Sequence, residues 1–479
     1  MSAKLTEGGV LSRLATTAAF LTLASSAHAH GSEASIVLLL PTGYYLAGAA
    51  IAVAASFLLL ALLPAWLSAR LATIRLKLGT VVDIPHAATS TFAFALLALL
   101  VPAGIFGTRD PVENPLPLMI WTIWWVCFTV LQAITGPLWP HLNPWTGPIA
   151  LLRLLTGKPL GETAFAKLPE RIGYRIAVLQ FAAFAWFELI DPAPSDPDRL
   201  AIAIIVYWLF NLAGALIFSE REWMRRAEPF SIFFGLIGLL SIFDRRPESP
   251  SRTRIALVWP GYSLIQKPAL PLTGVLFVLL ALSTVSFDGL SRTFVWLSAI
   301  RVNPLEFPGR SAVEMSGTLG MVGMFIALSI GFIGAVALGC ALAGRSAIWR
   351  EASGRLIHSI VPIALAFQAA HYLTSILVDG QNVLIALSDP FSFGWNLFGT
   401  AHWHTTTSFL NTLSGVTLIF NTETVAIALG HIVGIIMAHL IALRMFDNPR
   451  QAVVSQIPLA ALMVFYTAFG LWLLATPRI

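Results

Sequence analysis

Histidines inside apolar segments are the residues of this chain whose type and spacing suggest chemistry. His371 and His431 each lie in a stretch of about 20 mostly apolar residues, long enough to cross a bilayer. Ionisable side chains at such positions are costly and usually functional. A rise of about 1.5 Å per residue places His371 roughly 10 Å, and His431 about 12 Å, from the outer end of its helix. The two imidazoles are therefore expected at similar depth, on helices that follow each other in the chain.

Further polar groups are expected near the same outer surface. Gln368 precedes His371 by three residues and shares its helix face. His402 and His404 lie on the connection between the two helices, and Asp288 closes an earlier apolar segment. Imidazoles with a carboxylate form a hydrolytic metal site, or without metal they act as a base and its orienting partner.

The candidate residues fall into three groups. They are His371, His431 and Asp288 for catalysis, His371, His431, His402 and His404 as ligands of a divalent metal, and Gln368, Trp395 and Trp403 for substrate binding. Hydrogen-bonded packing residues and solvated helix ends are the alternative interpretation. No metal-family motif is present to fix the identity of the metal.

The elements that must position these residues are membrane helices. The chain of 479 residues is 57% hydrophobic and 11% charged, whereas soluble chains carry about 25% charged residues. The net charge of +5 comes from Lys and Arg residues in particular loops, which is a topology signal and argues against nucleic-acid binding. The sequence predicts an all-α, polytopic transmembrane helix bundle of about ten spans with short interfacial helices.

The predicted spans are apolar runs separated by polar loops. They cover residues 44–67, 88–108, 116–137, 173–192, 200–219, 270–288, 317–343, 356–378, 423–446 and 453–475. Two shorter apolar stretches, 146–155 and 230–243, are expected to be interfacial or re-entrant. Residues 379–422 are expected to form a periplasmic loop region.

The N-terminus has the pattern of a cleavable signal peptide over residues 1–29. A basic start and an apolar stretch precede Ala27-His28-Ala29, which leaves residues 30–479 as one transmembrane domain. Basic loops alternate with acidic or mixed ones, so the positive-inside rule places both mature termini in the periplasm of a bacterium, with the bundle in its inner membrane. A mature N-terminal His30 offers its amino group and ring to one metal, which suggests copper.

Ten short segments are spread in order along the whole mature chain. They are 29–31, 138–145, 212–214, 225–236, 287–290, 361–366, 370–372, 388–391, 394–401 and 430–434. Together they resemble the fenitrothion hydrolase family of bacterial membrane proteins. Asn396 departs from the Asp expected before Leu397-Phe398-Gly399.

The resemblance implies hydrolysis of an organophosphorus triester. An aryl dialkyl phosphorothioate would release a nitrophenol, and such an apolar small molecule partitions into lipid. The resemblance carries over no catalytic residue. Two other functions stay open: a transporter or permease for a metal ion or small solute, with His371, His431 and His439 on one polar path, and a copper-handling accessory protein that uses His30.

Overall fold

The protein is a helical bundle with one small sheet. The computed structural model describes residues 37, 40–64, 66–67, 70, 73–249 and 251–476. The predicted helical bundle is thus confirmed, and its long apolar helices are consistent with a membrane protein, while the sheet was not predicted. The expected signal peptide, His30 and the last three residues lie outside the described residues.

Helices make up most of the described chain. In order they are α1 (Thr42–Leu62), α2 (His86–Phe106), α3 (Pro115–Thr135), α4 (Trp139–Leu142), α5 (Thr146–Thr156), α6 (Arg175–Leu189), α7 (Pro197–Phe218), α8 (Glu220–Arg226), α9 (Pro229–Gly238), α10 (Leu272–Ser291), α11 (Phe294–Ala299), α12 (Glu314–Leu342), α13 (Trp349–Leu356), α14 (Val361–His371), α15 (Leu373–Ser388), α16 (Leu413–Met445) and α17 (Pro449–Ala475). The middle of α3, Leu118–Cys127, is a π-helix. Short 3₁₀ turns cover Glu170–Ile172, Leu264–Gln266, Pro304–Glu306, Arg310–Val313, Ser346–Ile348, Ile357–Ile360 and Ser408–Asn411.

Eight of the described helices are long and apolar enough to cross a membrane, or nine if the bent pair around Tyr372 is one span. The helix α6 lies in the predicted span 173–192 but has only 15 residues. The predicted count of about ten, which needs both the bent pair and α6, therefore stays a prediction. The predicted short apolar helices are present as α5 and α9.

The largest departure from the predicted spans is around His371. The helix α14 ends at His371, and the chain then bends by 60° into α15. The next helix, α16, begins at Leu413, ten residues before the predicted start. The hydroxyls of Thr417 and Thr422 bond to carbonyls one turn back, so these polar residues fit a helix. The expected loop 379–422 is thereby reduced to residues 389–412.

The helix α10 is the core of the bundle. Its most apolar window is 83% buried, compared with 11–61% for the other candidate spans. It packs against α6, α12 and α14. A helix that is apolar and buried on all sides belongs to the interior of a bundle, whereas the half-exposed apolar helices around it face lipid.

A three-stranded antiparallel sheet lies at one end of the bundle, where Arg245 of the sheet donates to the carbonyl of Thr135. Its strands are β1 (Arg75–Val82), β2 (Phe243–Ser249) and β3 (Arg252–Val258), in the order β1-β3-β2. We call this the sheet end, and the opposite end, where α10 finishes, the Asp288 end. The short helix α9 near the sheet end is capped by the Glu228 carboxylate, which accepts from the Phe230 and Ser231 amides.

Candidate functional site

A buried carboxylate, Asp288, is the centre of a polar cluster in the bundle. Its side chain is 3% exposed. Oδ2 accepts hydrogen bonds from His371 Nε2 at 2.7 Å and from the Tyr372 hydroxyl at 3.0 Å. Oδ1 accepts from Arg292 Nη2 at 2.9 Å and Nε at 3.1 Å. Each oxygen thus accepts two hydrogen bonds. Of the three donor residues, Arg292 is cationic and His371 can become so.

Two helix ends bring this cluster together. Asp288 and Arg292 are one turn apart, and Arg292 is the residue that ends α10. A guanidinium at this position is also favourable beside the carbonyl end of the helix. His371 is the last residue of α14, and Tyr372 is the residue at which the chain bends. The break therefore presents two consecutive side chains to one carboxylate.

A second carboxyl group joins the cluster from α6. The Tyr372 hydroxyl donates to Glu188 Oε1 at 2.7 Å as well as to Asp288 Oδ2 at 3.0 Å. A phenol has a single proton, so it cannot form two full hydrogen bonds to two carboxylates. One proton is therefore shared among Tyr372, Glu188 and Asp288, or Glu188 holds a proton of its own.

A second arginine fixes the chain next to the cluster. Arg310 Nη1 donates to the carbonyl oxygens of Glu188 at 3.1 Å and Asp191 at 3.3 Å. The Asp191 carboxylate in turn pairs with Arg199 at the start of α7. These contacts hold the end of α6 in place and keep a second guanidinium close to the two carboxyl groups.

The contact with Asp288 decides which tautomer of His371 is present. A carboxylate only accepts, so Nε2 carries a proton and Nδ1 is the nitrogen left with a lone pair. Asp288 raises the pKa of the Arg292 guanidinium above its usual range, so this group stays charged. The cluster therefore combines an oriented imidazole, a phenol that can relay a proton and a fixed positive charge.

Of the predicted catalytic residues, the fold unites Asp288 and His371. Gln368 lies one turn before His371 and is buried, but its amide donates to the Trp125 carbonyl at 3.2 Å. It thereby links α14 to the π-helical part of α3.

His431 is not at the depth of His371, so that prediction is wrong. The neighbouring Gly430 faces Pro362 and Ala366 of α14. His371 lies five residues beyond Ala366, which is about 8 Å along the helix. Because α16 begins at Leu413, His431 is about 27 Å from the start of its helix instead of about 12 Å. Its Nδ1 bonds to the Ile427 carbonyl at 2.9 Å, and its ring is buried.

The other predicted site residues lie on the loop after α15. His402 and His404 are exposed, as are Trp395 and Trp403. In the described part of the chain, no group of three or more His, Cys, Asp or Glu side chains is placed to hold a metal ion. The four predicted ligands do not form such a group. The divalent metal thus stays a prediction.

Sequence reasoning missed Arg292, Tyr372 and the contact of Glu188. The spacing of Asp288 and Arg292 is that of a helical ion pair and was available as a signal. Tyr372 gave none, since in a continuous helix it would lie about 100° around the axis from His371. Only the break at this residue turns both side chains towards Asp288.

Comparison with protein-family models, with curated proteins and with solved structures found no match to this chain.

Proposed function

We propose that this protein is a membrane-embedded hydrolase of organophosphorus triesters, with Asp288 and His371 as its general-base pair. The observation that supports the proposal is the 2.7 Å hydrogen bond between Asp288 Oδ2 and His371 Nε2 in a buried cluster. An imidazole held by a carboxylate at one nitrogen is oriented to take a proton at the other.

The reaction needs one water molecule and no redox partner. Nδ1 of His371 takes a proton from water as the water oxygen bonds to phosphorus. The bond from phosphorus to the aryl oxygen then breaks, and its electron pair leaves with the aryl oxide. The imidazolium returns its proton, so that a nitrophenol and a dialkyl phosphorothioate are released.

Charge that develops on the phosphoryl sulfur or oxygen has nearby donors. Arg292 and Arg310 place two guanidinium groups beside the cluster. Donors that are fixed before the reaction stabilise such charge without reorganisation, and in a site shielded from water this effect is large.

The substrate class comes from the resemblance to the fenitrothion hydrolase family. It agrees with a site that lies among apolar helices, because an aryl dialkyl phosphorothioate dissolves in lipid and reaches such a site from the bilayer. A charged substrate would not take that route.

The test is release of a nitrophenol from fenitrothion by protein purified in detergent, followed by absorbance. We expect turnover by the wild type and a fall of about 100-fold or more in His371→Gln, the range for loss of a general base. His358→Gln is the matched control, because His358 is also buried but lies towards the sheet end. Absence of release by folded wild-type protein, with or without added divalent metals, would refute the proposal.

We propose further that the sheet end faces the cytoplasm of a bacterium and that the protein lies in the inner membrane. The loops at the sheet end contain most of the Lys and Arg residues of the sequence. Labelling in intact cells tests this: a cysteine at Arg109 should react with an impermeant maleimide and one at Arg254 should not. The opposite pattern would reverse the orientation. Sequencing the N-terminus of the purified protein tests cleavage after Ala29.

A transporter is the second candidate function. The 60° break at Tyr372 favours it, since helices interrupted beside ionisable residues form the binding sites of many transporters. Solute flux into proteoliposomes equal to that of empty liposomes would exclude it. The copper-handling alternative depends on His30 and is tested by the metal content of His30→Ala.

A further inference from the structure

The loop between α15 and α16, residues 389–412, exposes an unusual amount of aromatic and aliphatic surface. Phe393 is 65% exposed, Trp395 44%, Leu397 59%, Phe398 69% and Trp403 57%. Single exposed apolar residues are normal in any protein. Five large ones within eleven consecutive residues form a patch, and such patches mark contact with a partner or with lipid.

Apart from Asp389, this loop has no acidic side chain and no Lys or Arg; its other ionisable side chains are His402 and His404. The sequence has no Asp, Glu, Lys or Arg between Asp389 and Glu423. Another connection at the same end of the bundle provides a comparison: residues 107–114, between α2 and α3, contain Arg109, Asp110 and Glu113. A loop in water has no reason to avoid charge, whereas a loop in lipid must avoid it.

The charge of Asp389 itself is used inside the loop. Its carboxylate accepts hydrogen bonds from the amides of Phe393 at 2.9 Å and Gly394 at 2.8 Å. The turn that allows this includes Ser392 with φ 56° and Gly394 with φ 82°. Asp389 therefore stabilises a tight turn that carries the aromatic side chains.

Further backbone amides of the loop are also satisfied by protein acceptors. Leu397 and Phe398 donate to the carbonyl and hydroxyl of Ser388, at 3.0 and 3.1 Å. Ala401 donates to Asn396 Oδ1 at 3.1 Å. In lipid no water is available to bond these groups, and each one left unpaired costs several kcal/mol. The turn that carries the aromatic side chains therefore pairs several of its amides within the protein, as a segment in contact with lipid requires.

Hydrogen bonds link the second half of the loop to α15. Gln381 forms two bonds with the backbone of Thr406, at 2.9 and 3.1 Å. The Thr405 hydroxyl donates to Asn382 Oδ1, and the Thr400 hydroxyl donates to the Leu384 carbonyl. The helix and the loop therefore form one unit, and α15 stays in the bundle beyond the 60° bend because it packs against the π-helical part of α3.

The aromatic rings are held in a fixed arrangement. Phe391 and Phe393 stack with centroids 5.7 Å apart, and Trp395 meets Phe393 edge to face at 5.4 Å. Preformed aromatic clusters of this kind are typical of the interfacial layer of a bilayer, where Trp and Phe are favoured.

We infer that residues 389–412 lie within the lipid interface at the Asp288 end, with Phe393, Leu397 and Phe398 inserted among the acyl chains, instead of extending into water as a periplasmic loop. The occupant of the patch is lipid. An interface with another protein is depleted of charge only at its core and keeps a polar, charged rim, whereas this loop has no Asp, Glu, Lys or Arg after Asp389. This inference is independent of the proposed enzymatic function.

The experiment measures the surroundings of a spin label by electron paramagnetic resonance in proteoliposomes of phosphatidylcholine and phosphatidylglycerol. Cys127 and Cys340 are first replaced by Ala, and labels are then placed one at a time at Phe393→Cys and Leu397→Cys. Leu209→Cys on α7, whose side chain is 51% exposed on a candidate span, gives the lipid reference. Arg109→Cys, in a charged loop at the same end, gives the water reference.

The readout is accessibility to oxygen, which concentrates in lipid, relative to a water-soluble nickel chelate. We expect ratios for the Phe393 and Leu397 labels several-fold above that of the Arg109 label and close to that of the Leu209 label. A water-like ratio at both positions would overturn the inference. So would low accessibility to both reagents, since that result means a second copy or another protein covers the patch. The two labelled positions guard against one variant that fails to fold.

Discussion

Replacement of Asp288 by Asn tests the central interaction of the candidate site. The change preserves size and leaves one oxygen that still accepts a hydrogen bond. It removes the negative charge and supplies an amide N–H in place of an acceptor. Facing a donor amide, His371 would accept at Nε2 and would hold its proton at Nδ1 instead. The nitrogen required to activate water would then be blocked.

The expected magnitude follows from the contacts. Loss of a general base lowers the rate by about 10² to 10⁴, and each factor of ten corresponds to about 1.4 kcal/mol of barrier. The stability cost is smaller. Arg292 is 45% exposed along its side chain and can turn towards solvent or headgroups, and His371 and Tyr372 keep a partner. We expect about 2 kcal/mol, the lower part of the range for hydrogen bonds to charged groups.

The assay is nitrophenol release at matched protein concentration, with thermal unfolding in the same detergent. Glu228→Gln is the control, because Glu228 is also a fully buried carboxyl group but caps α9 towards the sheet end. We expect Glu228→Gln to unfold at a lower temperature and to retain activity at temperatures where it is folded. Asp288→Asn should show the reverse: a modest change in unfolding and a loss of at least 100-fold in kcat/KM.

Two results would refute the reasoning. If Asp288→Asn retains activity within about threefold of wild type while folded, the tautomer of His371 does not control the chemistry. If both variants lose activity in proportion to the folded protein that remains, the cluster stabilises the fold and has no catalytic part.

Three further predictions concern packing, the second carboxyl group and pH. Gly430→Ala should lower the unfolding temperature by an amount equivalent to about 1–3 kcal/mol, because the added Cβ would lie 2.4 Å from the Cβ of Ala366 on α14. Gly323→Ala is the control and should be neutral or stabilising, because its added Cβ would meet no atom within 4 Å. Tyr372→Phe should lower the free energy of unfolding by about 1–3 kcal/mol in the same assay, because two buried carboxyl groups lose a donor. An unchanged unfolding temperature would show that Glu188 and Asp288 do not need the phenol proton. Burial, with the neighbouring His86 and Arg245, lowers the pKa of His141 below its ordinary value of about 6.5. The unfolded chain therefore binds more protons than the folded protein as pH falls below that value, and the free energy of unfolding should fall with it. We expect the unfolding temperature of His141→Asn to depend less on pH between pH 5 and 8, and an equal dependence would contradict the lowered pKa.

The site and the lipid-facing loop are adjacent in the chain. The helix α15 connects the break at Tyr372 directly to residues 389–412. If both proposals hold, an apolar substrate in the leaflet meets the aromatic patch close to the bend that presents His371. The spin-label experiment and the nitrophenol assay are independent, so one can fail without the other.

Several features followed from local sequence. Long apolar runs predicted membrane helices because a span must be apolar over about 20 residues, and α1, α2, α3, α7, α10, α12, α16 and α17 lie where such runs occur. The short apolar helices α5 and α9 followed in the same way. These properties depend on residues within a few turns of each other.

The bounds around His371 were predicted less well, for a physical reason. Polarity suggested that residues 379–422 form a loop, yet Gln381, Asn382, Thr417 and Thr422 lie in helices. Their side chains bond to nearby backbone or to the loop between the helices. Hydropathy records the polarity of a side chain but not whether it will find a partner.

By itself, the sequence determined that this chain is a bundle of long apolar helices with basic loops, and it predicted Asp288 and His371 as site residues. Only the tertiary structure decided that these two residues meet, that Arg292, Tyr372 and Glu188 complete the cluster, and that His431 does not belong to it. The register between α14 and α16 depends on the close approach of Gly430 to Pro362 and Ala366. Such contacts join residues far apart in the chain, and the periodicity of either helix alone does not specify them.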